Sequence, residues 1–143
     1  MILIDANLLL YAHNSSAMQH KAARRWLEDV LSSTTPVRLA WVTILAFLRI
    51  STSTRVFPSP LSIEEAMTYV ADWLKQPAVD VLEPGERHLA LLNSLLPAAQ
   101  AQGALVMDGH LAALAIEHGA ILYTTDKDFA RFAGLRVVNP LET

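Results

Sequence analysis

The sequence predicts an α/β fold with a mostly parallel sheet, and two features carry that expectation. Short apolar runs alternate with longer amphipathic stretches, the pattern of strands joined by helical crossovers. Acids stand directly after two of the apolar runs, at Asp5 and Asp126, and at the start of an amphipathic one, at Asp108. Ligands of parallel sheets bind beyond the carboxyl ends of the strands, so all three acids can reach one edge. At 143 residues and 52% apolar side chains, the chain fits one compact domain, residues 1–143, with a sizeable core.

Ile2–Asp5 reads as a short buried strand. A helix begins at Leu8. From Ala17 to Ser32 runs a strongly amphipathic helix, with Ala22, Ala23, Trp26, Leu27, Val30 and Leu31 on one face and the charged residues elsewhere. Val37–Val42 reads as a second strand and Thr43–Ser53 as helix. Ser62 and Glu65 form a capping box, opening a helix whose core face is Ala66, Tyr69, Val70, Trp73 and Leu74. Val79–Leu82 is a third strand. Glu86–Gln102 reads as helix, kinked or divided at Pro97 and stopped by Gly103. Asp108 would cap the next helix through its carboxylate, and Gly119 would end it. Ala120–Thr124 is a strand, Phe129–Phe132 a helical turn or two, and Leu135–Val138 the last strand.

The formal net charge of −3 does not advertise nucleic-acid binding, so any basic surface must be local. Without cysteine there are no disulfides, thiolate zinc sites or cysteine nucleophiles, which suits a reducing compartment. No apolar run reaches membrane-spanning length, and Asp5 interrupts the first apolar stretch, which has no basic leader. These features predict a soluble, cytoplasmic protein with no membrane partner. The histidines show no metal-ligand spacing, and there is no Walker or GxGxxG run.

Three carboxylates gathered in a partly buried pocket repel one another and lose hydration. A divalent cation reverses that balance, and Mg2+ or Mn2+ prefers oxygen ligands. The sharp reading is therefore metal-assisted hydrolysis of a phosphodiester. Each acid alone also reads as a turn former or helix cap. Asn7 reads either as a partner for a metal-bound water or phosphate, or as the cap of the helix from Leu8. Thr124 and Thr125 read as phosphate donors or caps. Asp128 reads as an exposed acid at a helix start, and His110, about 200° around the helix from Asp108, as surface or interface.

Taken in order, LIDANLLLYA, WVTILAFLRISTSTRVFPSPLS and VMDGHLAALAIEHGAILYTTDKDFARFAGLRVVNP resemble a PIN-domain ribonuclease toxin of the VapC type, over nearly the whole chain. The resemblance implies an α/β/α sandwich around a short parallel sheet. It implies a Mg2+- or Mn2+-dependent acidic site cleaving translation-related RNA such as tRNA or rRNA, a VapB-type antitoxin whose arm folds over that site, and a homodimer. It places Asp5, Asp108 and Asp126 as metal-binding catalytic acids, with Asp128 where an accompanying acid often stands.

The sequence departs from that pattern twice. Many PIN domains carry a glutamate on the helix after the second strand, whereas this chain has no acid from Val30 to Ser62 and places Ala46 in that region. A single ion held by Asp5 and Asp108, with Asp126 close by, fits that composition better than a four-acid, two-metal site. Met107 stands where a small polar residue usually precedes the acid. Arg49 and Arg55 are candidate RNA-phosphate contacts, with ordinary solvated charge as the plain alternative. Trp26, Phe47, Phe57 and Trp73 exceed one core's evident need; burial is the simple expectation, a dimer or antitoxin interface the other. Two rivals remain: a phosphoryl-accepting receiver, and a catalytically weakened PIN-like module acting by partner or RNA binding.

Overall fold

The computed structural model describes residues 1–142. Five strands, β1 (Ile2–Ile4), β2 (Val37–Ala40), β3 (Val79–Leu82), β4 (Ile121–Tyr123) and β5 (Val137–Val138), form one sheet in the order β3-β2-β1-β4-β5. Every neighbouring pair is parallel. Six helices accompany them: α1 (Ala6–His13), α2 (His20–Leu31), α3 (Trp41–Ser51), α4 (Ile63–Lys75), α5 (His88–Ala98) and α6 (Leu105–His118). A short 3-10 helix spans Lys127–Arg131.

Successive strand residues point to opposite faces, and the buried side chains sort accordingly. Ile2 and Ile4 of β1, with Val37 and Leu39 of β2, pack with Leu8, Leu27, Phe47 and Trp73 from α1 to α4. Leu3 and Leu122 pack on the other face with Leu95 of α5, Leu111–Ala115 of α6, and Phe129 and Phe132. Helices thus cover both faces of a parallel sheet, the sandwich that the resemblance implied. A receiver orders its strands 2-1-3-4-5, so that rival falls.

Several boundaries differ from expectation. α1 starts at Ala6, not Leu8, because Asp5 caps it with a 2.8 Å bond from the Ala6 N–H to Oδ1. That removes the capping role read for Asn7. α3 starts directly at the end of β2, at Trp41, and α2 only at His20. Tyr69 of α4 is exposed and lies edge-on to His13 rather than in the core. Pro97 sits in the last turn of α5, which is one helix ending at Ala98. The Ser62–Glu65 capping box forms as read. Gly119 ends α6 with φ +68°, a conformation that only glycine adopts without strain. Simple burial absorbs most of the large aromatics: Phe47 is fully buried edge-on to Trp73, Phe57 is half-buried, and Trp26 stacks on Tyr123 at 5.6 Å.

Candidate functional site: an acidic cleft at the carboxyl edge of the sheet

The register of β1 against β4, with Ile4 opposite Tyr123, sets Asp5 beside Thr124 where both strands end. The Asp5 N–H donates to the Tyr123 carbonyl at 3.0 Å. Thr124 is 1% exposed and its hydroxyl is a hub. Its single proton goes to Asp5 Oδ2 at 2.7 Å. Its lone pairs accept the Asn7 amide N–H at 3.2 Å and the Asp126 backbone N–H at 3.0 Å. With the hydroxyl proton spent on Asp5, Asn7 can only offer its Nδ2 side, which leaves its Oδ1 buried without a partner. Asp126 Oδ1 accepts from the Asp128 N–H at 2.9 Å, capping the 3-10 helix.

Asp108 arrives from the other side. It does not cap α6: the cap position is Ala104, and Asp108 lies inside the first turn. The helix starts early because Leu105, Val106 and Met107 continue its apolar run, so the acid is delivered from a rigid turn rather than a loop. Among the described residues nothing hydrogen-bonds its carboxylate. Burial pushes its pKa up to about 6, and the charges of Asp126, Asp5 and Asp128 push in the same direction against Arg131. Asp5 is also raised, chiefly by burial and slightly by Asp126, against the bonds from Thr124 and Ala6. The three acids therefore share one field.

Asp5 and Asp108 line a cleft of about 750 Å3 with Val42, Thr43, Leu45, Ala46, Arg49, Met107 and Leu111. Arg49 is thus at the site, while Arg55 is exposed on the loop after α3 and outside the cleft lining. Thr125 is half-buried beside Asp126 and also outside the lining. Ala46 places a methyl group on the wall, in the region of α3 where the resemblance leads one to expect a glutamate. His110 turns away to bond His88 across α5 and α6 at 2.9 Å.

As they stand, no three His, Asp or Glu side chains among the described residues form a ready-made metal cage. Asp5 and Asp108 share the cleft, whereas Asp126 is outside its lining; a small hard ion keeps several waters and takes one or two carboxylates directly. The donor set fits such an ion: all oxygen, with one carboxylate lacking any partner among the described residues. Thr124, read from the sequence as a phosphate donor or a cap, is instead the buried hub that holds the Asp5 carboxylate, the Asn7 amide and the Asp126 N–H together.

Fold and cleft together define a parallel α/β protein with an open cleft at the carboxyl edge of its sheet, lined by Asp5 and Asp108 from two separate segments. Residues 2–135 match the PIN domain, and the chain belongs to that family, among the VapC ribonucleases. It is 45% identical over 140 residues to ribonuclease VapC37 of Mycobacterium tuberculosis, covering 98% of this chain and 97% of that one. With ribonuclease VapC33 of the same species it shares 43% over 141 residues, 99% of each. Solved structures agree in fold at low identity. VapBC2 of Rickettsia felis bound to a promoter DNA fragment has a TM-score of 0.69 at 18% identity, covering 97% of this chain and 98% of that one. Mycobacterium tuberculosis VapC20, a sarcin-ricin loop cleaving toxin, has 0.66 at 18%, covering 95% and 99%.

Proposed function

We propose that this protein is the toxic component of a type II toxin–antitoxin pair, a metal-dependent endoribonuclease acting on translation-related RNA of the tRNA or rRNA class. The observation that carries this reading is Asp108, a carboxylate without a hydrogen-bond partner among the described residues, crowded by Asp126, Asp5 and Asp128 at the head of a cleft. Such an arrangement is tolerable at neutral pH when a cation joins it. Asp5, Asp108 and Asp126 would hold Mg2+ or Mn2+. When bound, the ion supplies a more acidic water and offsets charge on the scissile phosphate.

The chain's own residues do the rest. Thr124 fixes the Asp5 carboxylate, and α6 fixes Asp108. Asn7, read from the sequence as an RNA contact, acts from behind: its amide N–H donates to the Thr124 hydroxyl that holds Asp5. Arg49 reaches a phosphate in the cleft, and Thr125 donates to one beside Asp126. Arg55, farther out, serves RNA that extends past the cleft. Asp126 or Asp128 orients the attacking water.

Relatives named as VapC ribonucleases support the activity. Solved VapBC complexes support a VapB-type antitoxin as partner, and the arm that the resemblance implies would lie over the cleft. Homodimerisation and a cytoplasmic setting complete the proposal. Among the described residues no helix is long and apolar enough to cross a membrane.

The test is RNA cleavage by purified protein with and without EDTA, alongside Asp5→Asn checked by circular dichroism. Chelator-sensitive cleavage that is lost in the folded variant is expected; a folded Asp5→Asn protein with full activity overturns the reading. The second reading, a catalytically weakened module, is favoured by Ala46 on the cleft wall. It predicts RNA or partner binding without cleavage in that same assay.

A further inference from the structure

The acids of the site outweigh one ion. Asp5, Asp126 and Asp128 crowd Asp108, and these four carboxylates carry more charge than a single divalent cation offsets. A phosphodiester is itself an anion, so it still meets repulsion as it approaches such a site. A nearby cation that is not spent on a carboxylate removes that obstacle.

Arg131 stands where such a cation is needed. It ends the 3-10 helix that Asp126 caps, so the turn carrying Asp126 and Asp128 also carries this guanidinium. The next residue, Phe132, is buried against the start of α6: a β-carbon at Gly109, the neighbour of Asp108, would stand 3.5 Å from its ring. Arg131 Nη1 donates to the Ala99 carbonyl at 3.4 Å, on the connection between α5 and α6 whose last residue, Ala104, lines the cleft. Its positive charge is felt at Asp108. Yet Arg131 is exposed and, among the described residues, forms no salt bridge. A long bond to a neutral carbonyl is readily given up for a charged acceptor. Arginine stays charged at any working pH, and its planar fork meets two oxygens of one phosphate at once.

We propose that Arg131 is a catalytic residue of the acidic site, its guanidinium holding non-bridging oxygens of the scissile phosphate beside Asp108. This rests on the metal-nuclease reading above, and it gives a one-ion site a second positive charge for its substrate. Ion and arginine serve the same anion but repel each other, which gives the role a signature: Arg131 helps cleavage and opposes metal binding. A merely structural arginine would help both or neither.

Arg131→Gln removes the charge and keeps a polar side chain, whereas Arg131→Lys keeps the charge without the fork. Mn2+ binding to metal-free protein is measured by calorimetry without RNA, and RNA cleavage is measured at saturating Mn2+, with circular dichroism to check folding. For Arg131→Gln, Mn2+ affinity is expected to rise about threefold as a like charge is withdrawn. Its cleavage should fall about a hundredfold, the scale of one lost donor to a reacting oxyanion. Arg131→Lys should leave Mn2+ affinity within about twofold of wild type and regain part of the cleavage. Arg131→Gln protein that cleaves within about twofold of wild type would overturn the proposal, since one donor to the reacting group is worth far more. Mn2+ affinity that falls together with cleavage would overturn it too, by marking a structural role. If Arg131→Gln does not fold, Arg131→Lys carries the comparison, and it must lose cleavage with Mn2+ binding unchanged. Wild-type protein that neither binds Mn2+ nor cleaves RNA sinks the parent reading as well. Wild-type cleavage that Asp108→Asn abolishes and Arg131→Gln leaves intact sinks only this one.

Discussion

The two sides of the cleft are built in opposite ways. On the sheet side, Asp5, Asn7, Thr124 and Asp126 are joined through one buried hydroxyl, and the Asp5 carboxylate is satisfied at both oxygens. On the helix side, α3 and α6 present an apolar wall and one carboxylate that has no hydrogen-bond partner among the described residues. Apart from the Asn7 Oδ1, the sheet side is satisfied as it stands; the Asp108 carboxylate on the helix side is not. The difference separates substitutions that damage fold and function together from those that damage function alone.

Asp108→Asn breaks the comparison most sharply. Cleavage should fall on the order of a thousandfold, as when a main electrostatic partner of a reaction is lost. The metal-free protein should nonetheless become more stable at neutral pH, because a half-buried, repelled charge is gone. Thermal unfolding of the two proteins in EDTA, next to initial cleavage rates in Mg2+, checks both halves. A variant that is less stable than wild type would mean that Asp108 is tied into the fold in a way the structure does not contain.

Thr124→Val is the opposite case. Losing the hub leaves the Asp5 carboxylate, the Asn7 amide and the Asp126 N–H each short of a partner. Stability should fall by about 1–3 kcal/mol, and cleavage by roughly 10- to 100-fold as Asp5 loses its orientation. Urea denaturation and the same rate assay measure the two losses. The comparison survives if Thr124→Val loses both and Asp108→Asn loses only one.

The sheet side was also the legible side. Ile2–Asp5 and Ala120–Thr124 announce themselves by short apolar runs followed at once by polar residues, and such runs place their neighbours at the carboxyl edge without further information. The helix side was read less well, because helix starts depend on what the preceding strand leaves free. Trp41 and Leu105 open helices with no capping side chain to mark them. Asp108 was therefore read as a cap when it is a first-turn residue. The partition of Trp26 and Trp73 between core and interface was likewise open until the sheet gave them a face to pack on.

The pH profile of stability sharpens the same contrast. The raised Asp108 pKa means that the folded chain holds its proton more tightly than the unfolded one between 3.8 and about 6. Its contribution to stability therefore declines as pH rises through that window and is constant above it. Asp5 shifts in the same direction. Glu65 and Glu117 are lowered by hydrogen bonds and act oppositely, so the informative quantity is a difference. The midpoint of Asp108→Asn minus that of wild type, in EDTA, should be near zero around pH 4 and positive above pH 6. Adding Mg2+ should close the gap at pH 7.5, since the ionised carboxylate then has its counter-ion. A gap independent of pH would show that Asp108 does not titrate as its surroundings require.

The smallest effect concerns the two arginines, which differ only in place. Arg49 lines the cleft and Arg55 lies on the loop beyond α3. A cation that neutralises one phosphate of single-stranded RNA contributes about 0.7 to the slope of log affinity against log salt. Arg49→Ala should lower that slope by about this amount for any RNA long enough to fill the cleft. Arg55→Ala should leave short RNA unchanged and lower the slope only for RNA that continues past the loop. Salt titrations of fluorescence anisotropy, in Ca2+ to hold cleavage off, make the comparison with one short and one long RNA. Equal effects of the two substitutions on the short RNA would mean that the loop folds back onto the cleft when RNA binds, and would move Arg55 from the periphery to the site.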